Sequence, residues 1–179
     1  LGTQPPGLAT NVIYYDNAKG VHAAVKRLAA LGHRLIEYVV FTPEGHAKNH
    51  ISVMRYKAFQ AALEAFGCRT EISREIPVGL DQFVESRKQG AGSTAALVTA
   101  PVQVAIPALQ AAGVSIPDDL SIIVIDDHPA ARYGTPRLSA LRQPLAEIGY
   151  RAVRRLKELI DAGEHTFPTI LLPMEVVMR

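Results

Sequence analysis

Two residue types are nearly missing from this chain of 179 residues: it has one cysteine and no tryptophan. Because Cys68 stands alone, it excludes a disulfide within the chain, which is typical of a reducing compartment and predicts a cytoplasmic protein. Aromatic residues make up 6% of the chain and hydrophobic residues 48%, so we expect a core of aliphatic side chains. A chain of this length and composition is expected to form one domain, with at most a small appendage.

The chain also lacks a long apolar run and an excess of charge of one sign. No stretch approaches the roughly 20 apolar residues that a membrane-spanning helix needs, so we expect no membrane partner. Lysine and arginine number 19 and aspartate and glutamate 17, which gives no indication of binding to nucleic acid or lipid. No signal peptide is recognisable, but the sequence begins with Leu1, and we expect it to be a piece of a longer protein.

The signature motifs of several enzyme classes are absent. There is no phosphate-binding loop and no Gly-x-Ser-x-Gly turn. The glycine-rich stretch 90–92 precedes a predicted strand instead of following one, which excludes a dinucleotide fingerprint. His46 and His50, near Glu44, have a metal-binding spacing, but that spacing requires a helix and this stretch is predicted to be a loop. We therefore expect no catalytic residues, no metal and no cofactor.

What the chain does contain is a regular alternation of strand and helix patterns. The clearest strand is the run 120–125, in which apolar residues dominate between turn signals. Strands are predicted at 12–15, 35–41, 69–76, 94–99, 120–125, 138–142 and 170–178. Helices are predicted between Asp16 and Gly32, before Gly67, at 79–88, at 101–112 and from Pro144 to Ala162. This alternation predicts an α/β fold, a doubly wound parallel sheet with flanking helices.

Local signals set the boundaries of these helices. Asp16 is an N-cap residue and Gly32 a stop signal, and apolar residues repeat between them with helical spacing. That repeat consists of Val21, Ala24, Val25, Leu28 and Leu31. The last helix would bury Leu145, Ile148, Ala152, Leu156 and Leu159 and would pair Glu147 with Arg151 and Arg154 with Glu158. The stretches 42–50 and 128–137 are predicted to be irregular.

Two adjacent carboxylates, Asp126 and Asp127, end the strand 120–125. In open α/β sheets, ligands bind beyond the carboxyl ends of the strands, where polar side chains give specificity. The alternative is that these two side chains cap the next turn. Spacing alone favours this alternative.

The segment 113–129, GVSIPDDLSIIVIDDHP, resembles a segment of the LacI-type bacterial transcription regulators, in their effector-binding half. Further stretches that agree with this family, in the same order, are Asp16-Asn17 with Gly20, 31–34, 55–63, Thr135-Pro136 with Leu138, 141–144, Gly149 and Leu172-Pro173. The resemblance covers nearly the whole chain. It implies the type I periplasmic-binding-protein-like fold, in which the chain crosses three times between two lobes.

The resemblance also implies a division of the chain. Residues 1–15 would be a remnant of the N-terminal lobe and a crossover. Residues 16–141 together with 170–179 would form the C-terminal lobe, and 142–169 would be a returning helix that belongs to the N-terminal lobe. The DNA-binding headpiece would be absent, so we expect an N-terminally truncated regulator that contacts DNA only through that headpiece.

An effector site follows from the same resemblance. Arg55 falls where the family places the arginine that grips the effector, and we expect it in the first turn of its helix, beside free backbone N–H groups. Asp126 matches the carboxylate that accepts hydrogen bonds from the ligand, and Gln143 an amide near the ligand. Asp127 is predicted to cap the following turn.

One position departs from the family's pattern. Many family members have Asn-Asp after the strand 94–99, and this chain has Ala100-Pro101 instead. The lost asparagine leaves Thr99, His128 or Arg132 as candidates to contact the effector in its place.

The implied function is that of a cytoplasmic, homodimeric, non-enzymatic sensor: a sugar or sugar derivative bound between two lobes changes operator affinity. The helix 101–112 lies where the family packs its subunits, and its residues Ala105, Ile106 and Leu109 are predicted to form either the dimer interface or the core. Two alternatives remain open. One is a periplasmic sugar-binding protein of the same fold, and the other is an α/β hydrolase that uses Asp126, Asp127 and His128.

Overall fold

The computed structural model describes residues 12–73, 75–162 and 169–179, in which strands and helices alternate. The strands are β1 Val12–Tyr15, β2 Ile36–Val40, β3 Val78–Gly79, β4 Ala95–Val98, β5 Ser121–Ile125, β6 Ser139–Arg142, β7 Thr169–Leu172 and β8 Glu175–Val177. The helices are α1 Asn17–Ala30, α2 Pro43–Lys48, α3 His50–Ala65, α4 Leu80–Lys88, α5 Val102–Ala111, α6 Pro129–Tyr133 and α7 Leu145–Ala162. None of the helices in these three ranges is long and apolar enough to cross a membrane.

The strands form two sheets. The larger sheet has the order β3-β2-β4-β5-β6-β8, and its neighbours are parallel except for β8, which runs antiparallel to β6. A separate parallel pair consists of β1 and β7. The predicted α/β class with a mainly parallel sheet is therefore confirmed, and the antiparallel edge strand β8 is an addition to it.

Helices cover both faces of the larger sheet. Successive residues of a strand point to opposite faces, so Tyr38 of β2 packs against α1 and α3, whereas Val39 packs against α4 and α5. Phe59 is fully buried in the first layer and Phe83 in the second. Because both faces are covered, all five residues of β2 are buried. This is the doubly wound arrangement that the alternation predicts.

Helix α1 begins and ends at the predicted signals. Asp16 accepts a hydrogen bond from the backbone N–H of Lys19 at 3.0 Å, and Gly32 follows the helix with a φ of +96°. Glycine suits that position because a side chain would crowd the backbone at positive φ. The prediction that Leu31 lies on the inner face is wrong: it is exposed, because it is the C-cap residue beyond the last helical turn.

The stretch 42–50, predicted to be a loop, contains α2 and the start of α3. The Thr42 hydroxyl accepts from the N–H of Gly45 at 3.1 Å and caps α2. The side-chain oxygen Oδ1 of Asn49 accepts from the N–H of Ser52 at 3.0 Å and caps α3. These two caps are the local reason for both helices. His46 and His50 lie on different helices, so the metal-binding spacing is not realised.

The predicted strand 69–76 is also wrong in its described part. Only Arg69 forms a bridge, to Leu35, and the next strand is the short β3. The backbone N–H groups of Glu71 and Ile72 donate to the buried Glu37 carboxylate at 2.6 and 3.2 Å. Because these two N–H groups donate to the side chain of Glu37, they are not available for hydrogen bonds to a neighbouring strand.

The C-terminal stretch 170–178 forms two strands instead of the predicted one. β7 pairs with β1, and β8 pairs with β6 in the larger sheet. Pro173 lies between them and has no N–H to continue a ladder. Residues 170–172 therefore lie in the small sheet, although they were grouped with 16–141. The division into lobes itself stays a prediction, and its segments 1–11 and 163–168 lie outside the described residues.

Helix α7 packs against the small sheet along a narrow stripe. Ile148 is buried between Ile13 and Leu172, and Ala152 adds to this cluster. The predicted pairs Glu147–Arg151 at 2.6 Å and Arg154–Glu158 at 3.0 Å are confirmed. The predicted burial of Leu145 and Leu156 is wrong, since they are 64% and 59% exposed. They lie beside the stripe, on a face that the described residues leave uncovered.

The stretch 128–137, predicted to be irregular, includes the short helix α6. Pro129 stands in its first turn, where a missing N–H costs nothing, and the N–H of Ala130 donates to Nδ1 of His128 at 3.4 Å. Histidine is an unusual cap, which is why the sequence pattern gave no sign of a helix.

Candidate functional site

Arg55 is the centre of a polar cluster between the two sheets. Its side chain is largely buried, with Nε donating to Oδ1 of Asn17 at 2.6 Å and a terminal nitrogen donating to the Tyr15 hydroxyl at 3.5 Å. The same terminal nitrogen lies 3.9 Å from Oδ1 of Asp126. Arg55 stands in the second turn of α3 and not in its first turn as predicted, because the Asn49 cap starts the helix earlier. Free backbone N–H groups therefore do not lie beside it.

Asp126 faces Arg55 from the carboxyl end of β5. Its backbone has a φ of +77°, a left-handed conformation that few residues other than glycine adopt. Such a conformation stores strain of about 1 kcal/mol or more, and in proteins it concentrates at functional sites. The side chain is 52% exposed and accepts a hydrogen bond from the Gln143 amide. Three residues singled out from the sequence, Arg55, Asp126 and Gln143, are thus brought together.

A pair of tyrosines forms another wall of this cluster. The rings of Tyr14 and Tyr15 stack with centroids 4.1 Å apart, and the Arg55 guanidinium carbon lies 5.9 Å from the Tyr15 centroid. The Tyr14 hydroxyl donates to the Tyr15 hydroxyl, so the Tyr15 oxygen accepts twice and its own proton remains for a ligand. Burial raises the pKa of Tyr15 far above its usual value. Tyr15 is therefore a neutral donor.

These tyrosines and Asn17 are site residues that sequence reasoning missed. The signal available was their position: they flank Asp16 at the carboxyl end of a strand, where parallel sheets collect ligand-binding groups. Tyr38 is buried in β2, near the charges of Arg55 and Asp126, and its hydroxyl makes no hydrogen bond to any described residue. Burial raises the pKa of Tyr38 as well.

Asp127 does not cap the following turn, contrary to the prediction. Its side chain is 1% exposed and meets the guanidinium groups of Arg132 at 2.9 Å, Arg142 at 2.7 Å and Arg179 at 2.9 Å. Burial alone would raise the pKa of this carboxyl, but hydrogen bonds from Arg179 and Arg142 outweigh it and hold the pKa below its usual value. The cap of α6 comes from His128 instead.

Comparison with known proteins shows the family to which this chain belongs. Residues 25–179 match the family of periplasmic binding protein-like domains. The chain belongs to this family. Periplasmic binding protein-like domains are the fold that the resemblance in the sequence implies, and that expectation is confirmed.

The relatives of this periplasmic binding protein-like domain are transcription regulators. The regulator DegA of Bacillus subtilis is 30% identical over 188 residues, which cover 100% of this chain and 54% of DegA. The ribose operon repressor of Haemophilus influenzae is 28% identical, with coverage of 96% and 53%. The structure of a LacI family transcription regulator from Clostridium acetobutylicum has a TM-score of 0.77 at 18% identity, covers 94% of this chain and 65% of that one, and shows the shared fold. The resemblance to LacI-type regulators is confirmed, and the chain spans about half the length of these two relatives.

Of the other predicted effector residues, Thr99 has a different partner and His128 lies next to the cluster. The Thr99 hydroxyl donates to the backbone carbonyl of Val39 at 3.2 Å. His128 is exposed and lines a cleft with Asp126 and Gln143, so it adjoins the cluster. Ala100 is buried and offers no polar group in place of asparagine. Among the residues that the structure describes, no three His, Cys, Asp or Glu side chains come together as a metal site requires.

The three residues with two predicted roles, interface or core, are buried in the domain's own core. Ala105, Ile106 and Leu109 pack beneath α5 against the larger sheet. Their spacing is the inner face of an amphipathic helix, and the outer face of α5 carries the exposed Val104 and Pro107. An interface that uses α5 would be formed by this outer face.

Proposed function

We propose that this chain is the effector-sensing and dimerisation part of a LacI-type transcription regulator in the cytoplasm. It binds a small molecule, a sugar or a sugar derivative, and it is not an enzyme. The observation that carries the proposal is the Arg55 cluster, which joins side chains from both sheets.

Each sheet contributes to this cluster at a point where the chain passes between them. Tyr15 ends β1 of the small sheet, and Asn17 begins α1, which packs on the larger sheet. Gln143 leaves β6 of the larger sheet just before α7. A ligand held by Arg55, Asp126 and Tyr15 would therefore contact both units at once.

The chemistry of the cluster suits a hydroxylated ligand. The guanidinium of Arg55 supplies donors in a fixed fork, the exposed Asp126 carboxylate accepts hydrogen bonds, and the Tyr15 ring offers an apolar face to a sugar ring. The name of the ribose operon repressor among the relatives supports a sugar for this chain as well.

The proposed mechanism is a population shift. A ligand that contacts both units binds one relative arrangement better than another, and it can shift the equilibrium only by that difference in affinity. In a dimer, the shift would change how two DNA-binding headpieces are spaced, and thereby the operator affinity. The outer face of α5, with Val104, is the proposed contact between the subunits.

The test is a thermal-shift screen of the full-length protein against sugars, sugar acids, sugar phosphates and purines. A ligand at about a hundredfold over its Kd should add roughly 2.7 kcal/mol to the free energy of unfolding. Arg55→Ala should abolish this gain. Arg27→Ala is the matched control, since Arg27 lies near the opposite end of α1 from Asn17. Sedimentation of the same sample tests the dimer.

A folded protein that no ligand class stabilises would contradict the proposal. A gain that survives Arg55→Ala would place the ligand elsewhere. The periplasmic alternative would be favoured by a signal peptide in the complete gene. The hydrolase alternative has little geometric support, because Asp127 is held by three arginines and His128 Nδ1 accepts from Ala130.

A further inference from the structure

The cleft beside the Arg55 cluster extends beyond Asp126 and Gln143 into a pocket of about 320 Å³. Its further walls come from α6, from the end of β6 and from the start of α7. The residues that form them include His128, Pro129, Arg132, Arg142 and Leu145. The pocket is therefore continuous with the proposed effector site but has different chemistry.

Positive charge is in excess around Asp127, one of the residues that line this pocket. Three guanidinium groups, those of Arg132, Arg142 and Arg179, surround the single carboxylate of Asp127. Glu175 adds one more carboxylate, 3.2 Å from Arg142. Three cations thus face two anions, and the charge of Asp126 is already matched by Arg55. An additional anion would balance the group.

Arg132 is the least satisfied of the three arginines. Its Nε is buried and lies 2.9 Å from Asp127, but it makes no hydrogen bond of acceptable geometry. Within the described ranges, its terminal nitrogens make no hydrogen bond either, and the side chain is 41% exposed at the pocket wall. The fork of the guanidinium group is open to a planar or tetrahedral anion, which it would bind through two parallel hydrogen bonds.

His128 adds a second donor. Its Nδ1 accepts the N–H of Ala130, so the proton of the neutral ring is on Nε2. The Nε2–H of this exposed residue can donate to an oxygen in the pocket.

We propose that this pocket holds an anionic group of the effector, a carboxylate or a phosphate, with Arg132 as the residue that selects for it. The inference rests on the proposed sensor function and narrows its ligand class to acidic sugar derivatives. Arg55 and Asp126 hold the hydroxyl groups, and Arg132 with His128 holds the anion.

The experiment is calorimetric titration of the full-length protein with matched neutral and acidic sugars. The sets are glucose with glucuronate, gluconate and glucose 6-phosphate, galactose with galacturonate, and ribose with ribose 5-phosphate. An acidic member should bind about ten- to a hundredfold more tightly than its neutral partner, the factor expected for hydrogen bonds to a charged group. Comparison of the carboxylates with the phosphates distinguishes the two anions.

Arg132→Gln should remove this preference, so that the acidic and the neutral member of each set bind with similar affinity. Arg137→Gln, a change of an exposed arginine beyond α6, is the matched control and should preserve it. Acidic sugars that bind no more tightly than neutral ones, or an Arg132→Gln variant that keeps the preference, would overturn the pocket proposal and leave the sensor function standing.

If no sugar binds, the sensor function fails and the pocket is tested with inorganic phosphate alone. The probe is the NMR signal of the Arg132 Nε–Hε group. A saturable shift, lost on His128→Ala, supports an anion site. A signal that does not move overturns it.

Discussion

Asp127 connects four segments that are far apart in the sequence. It lies just beyond the end of β5, and its arginine partners are Arg132 of α6, Arg142 of β6 and Arg179. A buried carboxylate is tolerated only when it is paired and hydrogen-bonded, and here Arg142 and Arg179 supply these bonds. The residue next to the proposed ligand-binding Asp126 is therefore a structural anchor.

Asp127→Asn should lower the free energy of unfolding by about 2 kcal/mol, because it removes the charge of a buried carboxylate that three arginines contact, two of them partly exposed. Denaturant unfolding measures this change. Asp118→Asn is the control, since Asp118 is exposed, and it should have little effect. A loss below about 1 kcal/mol for Asp127→Asn, as for an exposed ion pair, would contradict the anchoring role.

The same residue predicts a pH dependence. The pKa of Asp127 is lower in the folded chain than in the unfolded chain, where an aspartate has a pKa of about 4. Its stabilising contribution is therefore complete above that value and is lost as the pH falls through the lower, folded pKa. The difference in stability between the wild type and Asp127→Asn should shrink on acidification below about pH 4. A constant difference would refute the linkage.

In the segment between α3 and β3, hydrogen bonds to one side chain take the place of the hydrogen bonds of a strand. Glu37 lies in the middle of β2, almost fully buried, and holds the backbone of Glu71 and Ile72. Burial raises the pKa of Glu37, although the two backbone hydrogen bonds lower it in part. The charged form of Glu37 is therefore less favourable in the folded chain than in the unfolded chain.

Glu37→Gln tests this element. A group with a raised folded pKa favours the folded state below its unfolded pKa, and this contribution is lost as the pH rises through the folded pKa. The glutamine variant keeps the accepting oxygen and has no charge, so its stability relative to the wild type should increase between about pH 4 and pH 7. Urea unfolding at both pH values measures it.

Two further variants complete the comparison. Glu37→Ala removes the acceptor and should cost about 2 kcal/mol at either pH, because two buried N–H groups lose their partner. Glu64→Gln, on the exposed side of α3, should show no pH-dependent difference. A pH-independent effect of Glu37→Gln would mean that the pKa of Glu37 does not rise on folding.

Elements with strong periodicity were predictable from the sequence, and elements made by single contacts were not. β2, β4 and β5 follow from apolar runs, and α1 from Asp16 and its apolar repeat. The helix α2 depends on the Thr42 cap, and the segment after Arg69 depends on Glu37, which is distant in sequence. Local patterns carry no information about such a partner.

The candidate site was predictable to a similar extent. Arg55, Asp126 and Gln143 followed from the family resemblance, and the structure brings them together. Tyr15 and Asn17 were missed, because only tertiary packing places them beside Arg55. The arginines around Asp127 were missed for the same reason.

On the scale of the whole molecule, the two sheets differ in how well they are covered. The larger sheet is enclosed on both faces by helices. Within residues 12–73, 75–162 and 169–179, the small sheet has two strands, and its buried cluster is Ile13, Ile148 and Leu172. A two-stranded sheet has little stability by itself. The outer face of α7 carries exposed apolar side chains, which no described residue covers and which therefore do not add to its stability. The apolar residues on that face are Leu145, Val153, Leu156 and Ile160.

This difference predicts two levels of stability within the 179-residue chain. Amide hydrogen exchange should be at least about tenfold faster in β1, β7 and α7 than in β4 and β5, because opening the small sheet exposes little buried surface. Mass spectrometry of peptides from each element measures it. Ile148→Ala should speed exchange in α7 and β1 further and leave β4 and β5 unchanged, whereas Leu97→Ala, in the larger sheet, should speed exchange in both. Uniform protection across all strands would show instead that the two sheets open as one cooperative unit, and a ligand would then have no separate arrangements to select.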